Sequence, residues 1–333
     1  MILDMKYNII LLSLCMLGVC CLTSCREDDL DPESVITVEH QTQNAFDKWL
    51  EANYVDPYNI QVKYRYEMDE AGYTYYTIPA KLEYSIIMAH LVKYLCIDTY
   101  DEVAGINFTR SYFPKMFFYT GEWEYKNNGT FILGTAEGGK KIFLAGLNYL
   151  PTYMASASTL NHYYIKTIHH EFTHILNQTK DFPTEFTQVS GTSYVTDDWS
   201  SSSWNTYYLQ RGFISTYSQD SAREDFAEMM SLYITNTEET FNAWLEAAGR
   251  TVTEDDMSET ANSHYTEFHT SFPDLKVGDT FPGAGYLQTK VDLVRKYMKN
   301  TFQIDIDQLR DVIMRRQAEV VSGNVDLTTT VVD

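Results

Sequence analysis

The sequence is short of positive charge. Its 333 residues carry 25 Lys and Arg against 46 Asp and Glu, a formal net charge of −21 at pH 7. Nucleic-acid binding needs Lys and Arg to displace the counterions condensed on phosphates, so that class of partner is excluded. Cysteine is scarce too. Four of the five lie at Cys15, Cys20, Cys21 and Cys25, which leaves Cys96 alone beyond them and no intramolecular disulfide in the folded part. Stability then rests on a hydrophobic core, which a chain this long can build without staples. With 44% hydrophobic residues against 21% charged, the composition is that of a globular protein and not of a disordered tail. There is no internal repeat and no apolar run long enough to span a bilayer as a permanent helix. Aromatic residues, by contrast, are plentiful, with 26 Tyr.

The N-terminus reads as a processed leader. Asn8 to Cys21 is apolar and preceded by Lys6, as in the core of a secretory signal. It ends in Leu22-Thr23-Ser24-Cys25, which resembles a bacterial lipobox, in which the peptidase cuts before the cysteine and Cys25 carries the acyl chains. Arg26 follows in place of the Asp that would retain the protein at the inner membrane. Glu27-Asp28-Asp29 resembles the acidic patch of surface-exported lipoproteins. The expected organisation is a signal peptide over 1–24, an acidic lipid-anchored tether over 25–36 and one domain over 37–333.

Within the domain the hydrophobic pattern predicts a helix over 41–52, a strand over 60–66 and a buried helix over 81–96. A β-rich stretch follows, with Thr130 to Leu133 and Lys141 to Leu144 expected as a hairpin around Glu137-Gly138-Gly139. Helices are expected over 160–178 and 221–234. Two amphipathic helices close the chain, one through Leu287, Val291, Val294 and Met298, the other through Ile306, Leu309, Ile313 and Val320. Strands early and helices late indicate an α+β fold.

The chemistry begins at His170-Glu171-Phe172-Thr173-His174, an H-E-x-x-H pattern. On a helix, positions four apart share one face, so both imidazoles can reach one zinc ion while Glu171 stands beside them to take a proton from the attacking water. The bland alternative is a pair of surface histidines, which the apolar face of the same helix disfavours. A catalytic zinc needs a third protein ligand and one open position. Asn177 and Lys180 stand where a metzincin requires Gly and His, and a second E-x-x-H helix, needed for a di-iron site, is missing. A carboxylate from a later helix remains. Glu224-Asp225-Phe226-Ala227-Glu228 places two glutamates one turn apart, either of which spacing alone allows as ligand, the other then supporting a histidine. His169 points about 100° away from His170 and is expected in a supporting or surface position. His264 and His269 are expected as loop residues. Trp199, Trp204, Tyr207 and Tyr208 fit a substrate cleft and a core equally well.

Tyr217 to Glu228 (YSQDSAREDFAE) resembles the third-ligand segment of the anthrax lethal factor group of gluzincins, in which a Tyr precedes the ligand Glu by seven residues. That resemblance implies Glu224 as ligand, Glu228 as the carboxylate behind a histidine and Tyr217 as the phenol facing the oxyanion. The lipobox, HHEFTH and EDFAE together resemble the substrate import-associated zinc metallohydrolase lipoproteins, a zinc-binding metallopeptidase family. It implies a zincin-like metallopeptidase domain, with a small β-sheet before the HExxH helix and a helical C-terminal part. Its implied cofactor is one Zn2+ per chain, held by His170, His174 and Glu224, with Glu171 as general base. The implied setting is the outer membrane, lipid-anchored and facing outward beside a TonB-dependent import complex, with a peptide or glycoprotein as substrate. The strand near Lys141 to Leu144 is a candidate for pairing with an extended peptide. A rival from another class is a non-catalytic glycan- or peptide-binding lipoprotein that retains the zinc site. Retention of Glu171, which binding alone does not need, speaks against it.

Overall fold

A computed structural model describes residues 42–70, 75–126, 131–137 and 140–332. The signal segment, the tether and Cys25 lie outside the described residues. Residues 44–333 make up one compact unit that contains every element named below. Its first helix, α1 (Ala45–Leu50), is set by a reciprocal cap. The Asn44 side chain accepts from the Asp47 N–H while the Asp47 carboxylate accepts from the Asn44 N–H. It buries Phe46, Trp49 and Leu50. After β1 (Gln61–Lys63), helix α2 (Leu82–Val92) runs through a wide turn at Lys93–Ile97 into α3 (Asp98–Ala104), followed by α4 (Ile106–Tyr112). Met88, Ala89, Leu91, Val92 and Leu95 form the buried side there, and Leu82, expected to share it, is exposed at the first turn.

The sheet follows: β2 (Met116–Tyr119), the two-residue β3 (Glu124–Tyr125) and β4 (Phe131–Ile132), then β5 (Gly134–Glu137) and β6 (Lys141–Leu144). The main sheet has the order β1-β2-β6-β5, with β1, β2 and β6 parallel and β5 antiparallel to β6. Phe117 and Phe118 on β2, and Ile142 and Phe143 on β6, are all buried, so these central strands are covered on both faces, as parallel strands usually are. Two expectations need correction. The hairpin partner of β6 is Gly134–Glu137, with Glu137 opposite Lys141; Phe131–Ile132 pairs with Glu124–Tyr125 instead. And β6 cannot accept an extended peptide, because β2 and β5 occupy its two edges. The edge strand on this side is β5. Gly134 lets it approach its neighbours: a Cβ there would stand 2.6 Å from the Phe143 carbonyl oxygen and 3.0 Å from the Thr167 methyl.

Helix α5 (Lys166–Thr179) packs against β5 and carries the H-E-x-x-H residues. Ile168, Phe172, Ile175 and Leu176 are buried, with Phe172 set edge-on to Tyr100 at 5.0 Å and against Phe113 at 4.8 Å. Next come α6 (Thr184–Ser190), α7 (Ala222–Thr235), α8 (Glu238–Ala248), α9 (Gly283–Phe302) and α10 (Ile306–Val321). The Ser221 hydroxyl caps α7 by accepting from the Glu224 N–H at 3.4 Å, which places Glu224 in the first turn. All eight residues predicted for the two C-terminal stripes are buried. The fold is mixed α+β, with a small sheet ahead of the H-E-x-x-H helix and helices after it.

A buried ion pair locks α7 to α9. Lys290 Nζ lies 2.5 Å from Asp225 Oδ2, with both side chains at 0% exposure, and also donates to the Gly212 carbonyl at 2.6 Å. Tyr194 donates to the same carboxylate oxygen at 3.0 Å. Burial pushes the Asp225 carboxyl up to about 6 even against the pull of Lys290. Removing one partner of such a pair strands the other charge. Lys290→Met should therefore lower unfolding stability by about 3–5 kcal/mol in a denaturant titration, and the double variant Lys290→Met, Asp225→Leu should regain most of it. A single variant as stable as the parent would show that the pair does not hold the two helices together.

Candidate metal centre

Two helices build the site. On α5, His170 and His174 stand one turn apart, their rings 4.7 Å between centroids and nearly perpendicular at 83°. α7 crosses α5 and brings Glu224 in from its first turn. His170 Nε2 lies 3.0 Å from Glu224 Oε2, His174 Nε2 lies 3.2 Å from the same oxygen, and the two Nε2 atoms are 3.1 Å apart. Donor atoms on a tetrahedral zinc with bonds of about 2.0–2.1 Å stand roughly 3.3–3.4 Å from one another, so the triangle is within a few tenths of an ångström of that size. Its chemistry fits as well. Once deprotonated, all three atoms offer a lone pair within 3.2 Å of one another, so that a single cation would satisfy all three. Among the described residues this is the one cluster of His, Cys, Asp and Glu that could hold a metal ion.

The charges around the triangle also call for a cation. Burial alone would lower the affinity of the His170 ring for a proton, yet Glu224 and Glu228 push its pKa up to about 9. Burial works to raise the Glu224 carboxyl, but the two histidines hold it well below the ordinary carboxylate range. Glu228 is buried behind His170, with Oε1 2.8 Å from His170 Nδ1, although the ring is not turned for a straight hydrogen bond. A carboxylate so close favours a proton on Nδ1 and leaves Nε2 its lone pair. Glu228 is itself fixed from two sides, by Lys166 Nζ at 2.6 Å and by the Ser215 hydroxyl, which donates at 2.7 Å. Against burial, Lys166 and His170 hold its carboxyl far below the usual range.

Glu171 is half-buried beside the triangle. Tyr217 lies across from it in the short turn Tyr217–Gln219, its ring 5.9 Å from that of His170 and edge-on to Trp199 at 4.8 Å. Burial and then the Glu224 carboxylate push the Tyr217 phenol far up, so it stays protonated and able to donate a hydrogen bond. The structure thus brings His170, His174 and Glu224 together, with Tyr217 packed near the His170 ring, Glu228 behind that ring, and Glu171 next to His170 on the same helix. Cys25 lies outside the described residues.

Sequence reasoning missed Lys166 and Ser215. Lys166 was open to discovery, because it precedes His170 by one helical turn; Ser215 has no such signal. His169 is corrected: it is wholly buried, with Tyr100 Oη 3.2 Å from Nδ1 and Cys96 Sγ 3.8 Å from Nε2, because that side of α5 faces the core and not solvent. Burial lowers its pKa to about 3, so the ring is neutral. His269 sits on the helix Tyr265–Ser271 rather than in a loop, whereas His264 lies in the turn just before it, as expected. The four aromatics divide: Trp199 packs on Tyr217, Tyr207 is core with Phe268, Phe272 and Phe281, Trp204 lines a separate cavity, and Tyr208 is half-buried.

Comparison with known proteins agrees with this arrangement. The profile of a family described as "putative zinc-binding metallo-peptidase" matches residues 39–307. A solved structure of the same description, from Bacteroides caccae, is similar at 32% identity and a TM-score of 0.67, covering 90% of this chain and 100% of that one. No curated protein matches. The match spans both the sheet and the two helices that form the triangle, and on it the chain belongs to this zinc-binding metallo-peptidase family.

Proposed function

We propose that the protein is a single-zinc peptidase of gluzincin type, with His170, His174 and Glu224 as ligands of one ion per chain. The convergence of His170 Nε2, His174 Nε2 and Glu224 Oε2 to within 3.0–3.2 Å is the observation that carries this reading. Bound there, zinc would acidify a water and polarise the scissile carbonyl. Glu171 takes the proton of the attacking water and returns it to the leaving amine. Tyr217 donates a hydrogen bond to the developing oxyanion. Glu228, held by Lys166 and Ser215, keeps the His170 ring turned so that Nε2 faces the metal. The open edge of β5, which packs beside α5, is the place for an extended peptide to add a strand. The Leu22-Thr23-Ser24-Cys25 motif and the acidic residues after it support display on the outer membrane through acylated Cys25, beside a TonB-dependent importer and acting on a peptide or glycoprotein.

Metal content after identical dialysis, paired with peptide-pool hydrolysis, tests the roles. The parent should hold about one zinc per chain and Glu224→Ala little. Glu228→Ala should bind zinc about 10–100-fold more weakly. Glu171→Gln should keep its zinc while turnover falls by ~10² or more. Tyr217→Phe should keep zinc and lose ~10²–10³ in kcat. Zinc kept by Glu224→Ala but lost by Glu228→Ala would reverse the ligand assignment. Unchanged turnover in Glu171→Gln would end the proposed mechanism. Acylation is separate: Cys25→Ala should remove the acyl mass and the protein from the detergent phase, and a variant that stays membrane-bound would refute the anchor.

The support of Glu228 by Lys166 yields its own expectation. Lys166→Met should weaken zinc binding by about tenfold in a chelator competition, and Lys166→Arg should restore much of it. Equal affinity in Lys166→Met would show that Ser215 alone suffices to hold Glu228.

A further inference from the structure

Apart from the metal triangle, the molecule has a cavity of about 510 Å³ walled by the segment 192–198, Trp204, Arg211, the end of the Tyr265–Ser271 helix, and Pro282 and Tyr286. Its lining is mainly polar, with Thr192, Ser193, Asp198, Thr270 and Ser271 among the residues. None of the residues assigned to metal binding or proton transfer lines it.

Arg211 is the unusual member. It is only 7% exposed, and no carboxylate lies within ion-pair distance of it among the described residues, in a chain of net charge −21. Its guanidinium donates to the Gln219 side-chain oxygen and to the Ser193 carbonyl, which uses two of its five N–H groups. It stacks 4.5 Å above the Trp204 ring and 5.3 Å above Phe213, so its plane is held in place. The acid whose field reaches it, Glu267, has both oxygens engaged by backbone N–H groups, Tyr207 at 2.8 Å and Thr206 at 3.2 Å. Asp198 lines the cavity from an exposed position and makes no ion pair with Arg211. Burial lowers the Arg211 pKa to about 10, which leaves it charged at neutral pH. A nearly buried, oriented cation with no carboxylate in contact is costly unless something supplies one.

We propose that this cavity binds a small carboxylate-bearing ligand, its carboxylate paired with the fixed fork of Arg211 and its polar remainder facing the hydroxyls of Thr192 and Ser193. A planar guanidinium with N–H groups to spare can meet a carboxylate in two-point geometry. The same carboxylate could be the C-terminus of a short peptide or the acid group of a uronic sugar. The site is linked to the catalytic side: Gln219, which accepts from Arg211, closes the turn that carries Tyr217 and donates to the Trp204 carbonyl at 2.8 Å.

Calorimetric titration of the full chain, stripped of metal with a chelator and then dialysed free of it so that the metal triangle contributes nothing, separates this site from the peptidase reading. The probes are Ala-Ala dipeptide with its C-terminal amide, and glucuronate with glucose. One or both carboxylates should bind with Kd of about 1 mM or tighter. Each neutral counterpart should bind at least about tenfold more weakly. The tighter carboxylate identifies the source. Arg211→Gln should abolish binding. Because Arg211 also ties Gln219 and Ser193, Thr192→Trp, which fills the mouth from an exposed position, is the second variant and should also abolish it. Failure of both carboxylates to bind, equal binding of the neutral probes, or binding that survives Thr192→Trp would each overturn the proposal.

Discussion

The crossing of α5 and α7 is the constraint on which the rest depends. Two imidazole nitrogens and a carboxylate oxygen are brought to within 3.0–3.2 Å of one another, an arrangement that needs the two backbones to be held. The holding is done at a distance from the site. Phe172 on α5 is wedged among Tyr100, Phe108 and Phe113, and Phe226 on α7 stacks on Phe182 at 4.8 Å and meets Phe186 and Tyr297 edge-on. Lys290 fastens α7 through Asp225, the residue next to the proposed ligand Glu224. The helices carry aromatic anchors on one face and ionisable groups on another, so hydrophobic burial fixes the positions of charges that would not choose them.

From the site outward, charge alternates. Lys166 faces Glu228, Glu228 faces His170, and His170 faces Glu224. Each member lies within 3.0 Å of the next, and the buried carboxylate of Glu228 is tolerable because a cation and a hydroxyl flank it. This sequence of contacts also explains why two glutamates one turn apart end in different roles. Ser221 starts α7 three residues before Glu224, which puts Glu224 at the mouth of the crossing and Glu228 one turn deeper, under Lys166.

Much of this was legible from spacing. Period-3.6 stripes located α1, α5, α7, α9 and α10, because those helices each bury one apolar face against the rest of the chain. H-E-x-x-H located two members of the triangle for the same geometric reason. What escaped was tertiary. β5 reads Gly-Thr-Ala-Glu, too small and polar to signal a strand, and owes its place to pairing with β6 and to the close approach allowed by Gly134. His169 is expected in a supporting or surface position because it points away from His170, but α5 is covered on both sides, so facing away from the site means facing the core. The aromatics after the site divided among three environments because periodicity is silent in irregular segments. Ser215 reaches Glu228 from such a segment, with nothing local to announce it.

The back of α5 has a consequence for the redox behaviour of the domain. Cys96 lies 3.8 Å from the neutral ring of His169, wholly buried, and burial drives its thiol far up from the ordinary value. Oxidants and soft metals react with the thiolate, which this environment suppresses. The domain therefore offers solvent no reactive thiol: an oxidising medium cannot cross-link it through cysteine, and a reducing one has no disulfide to open. Its covalent framework is indifferent to the electron poise of its surroundings.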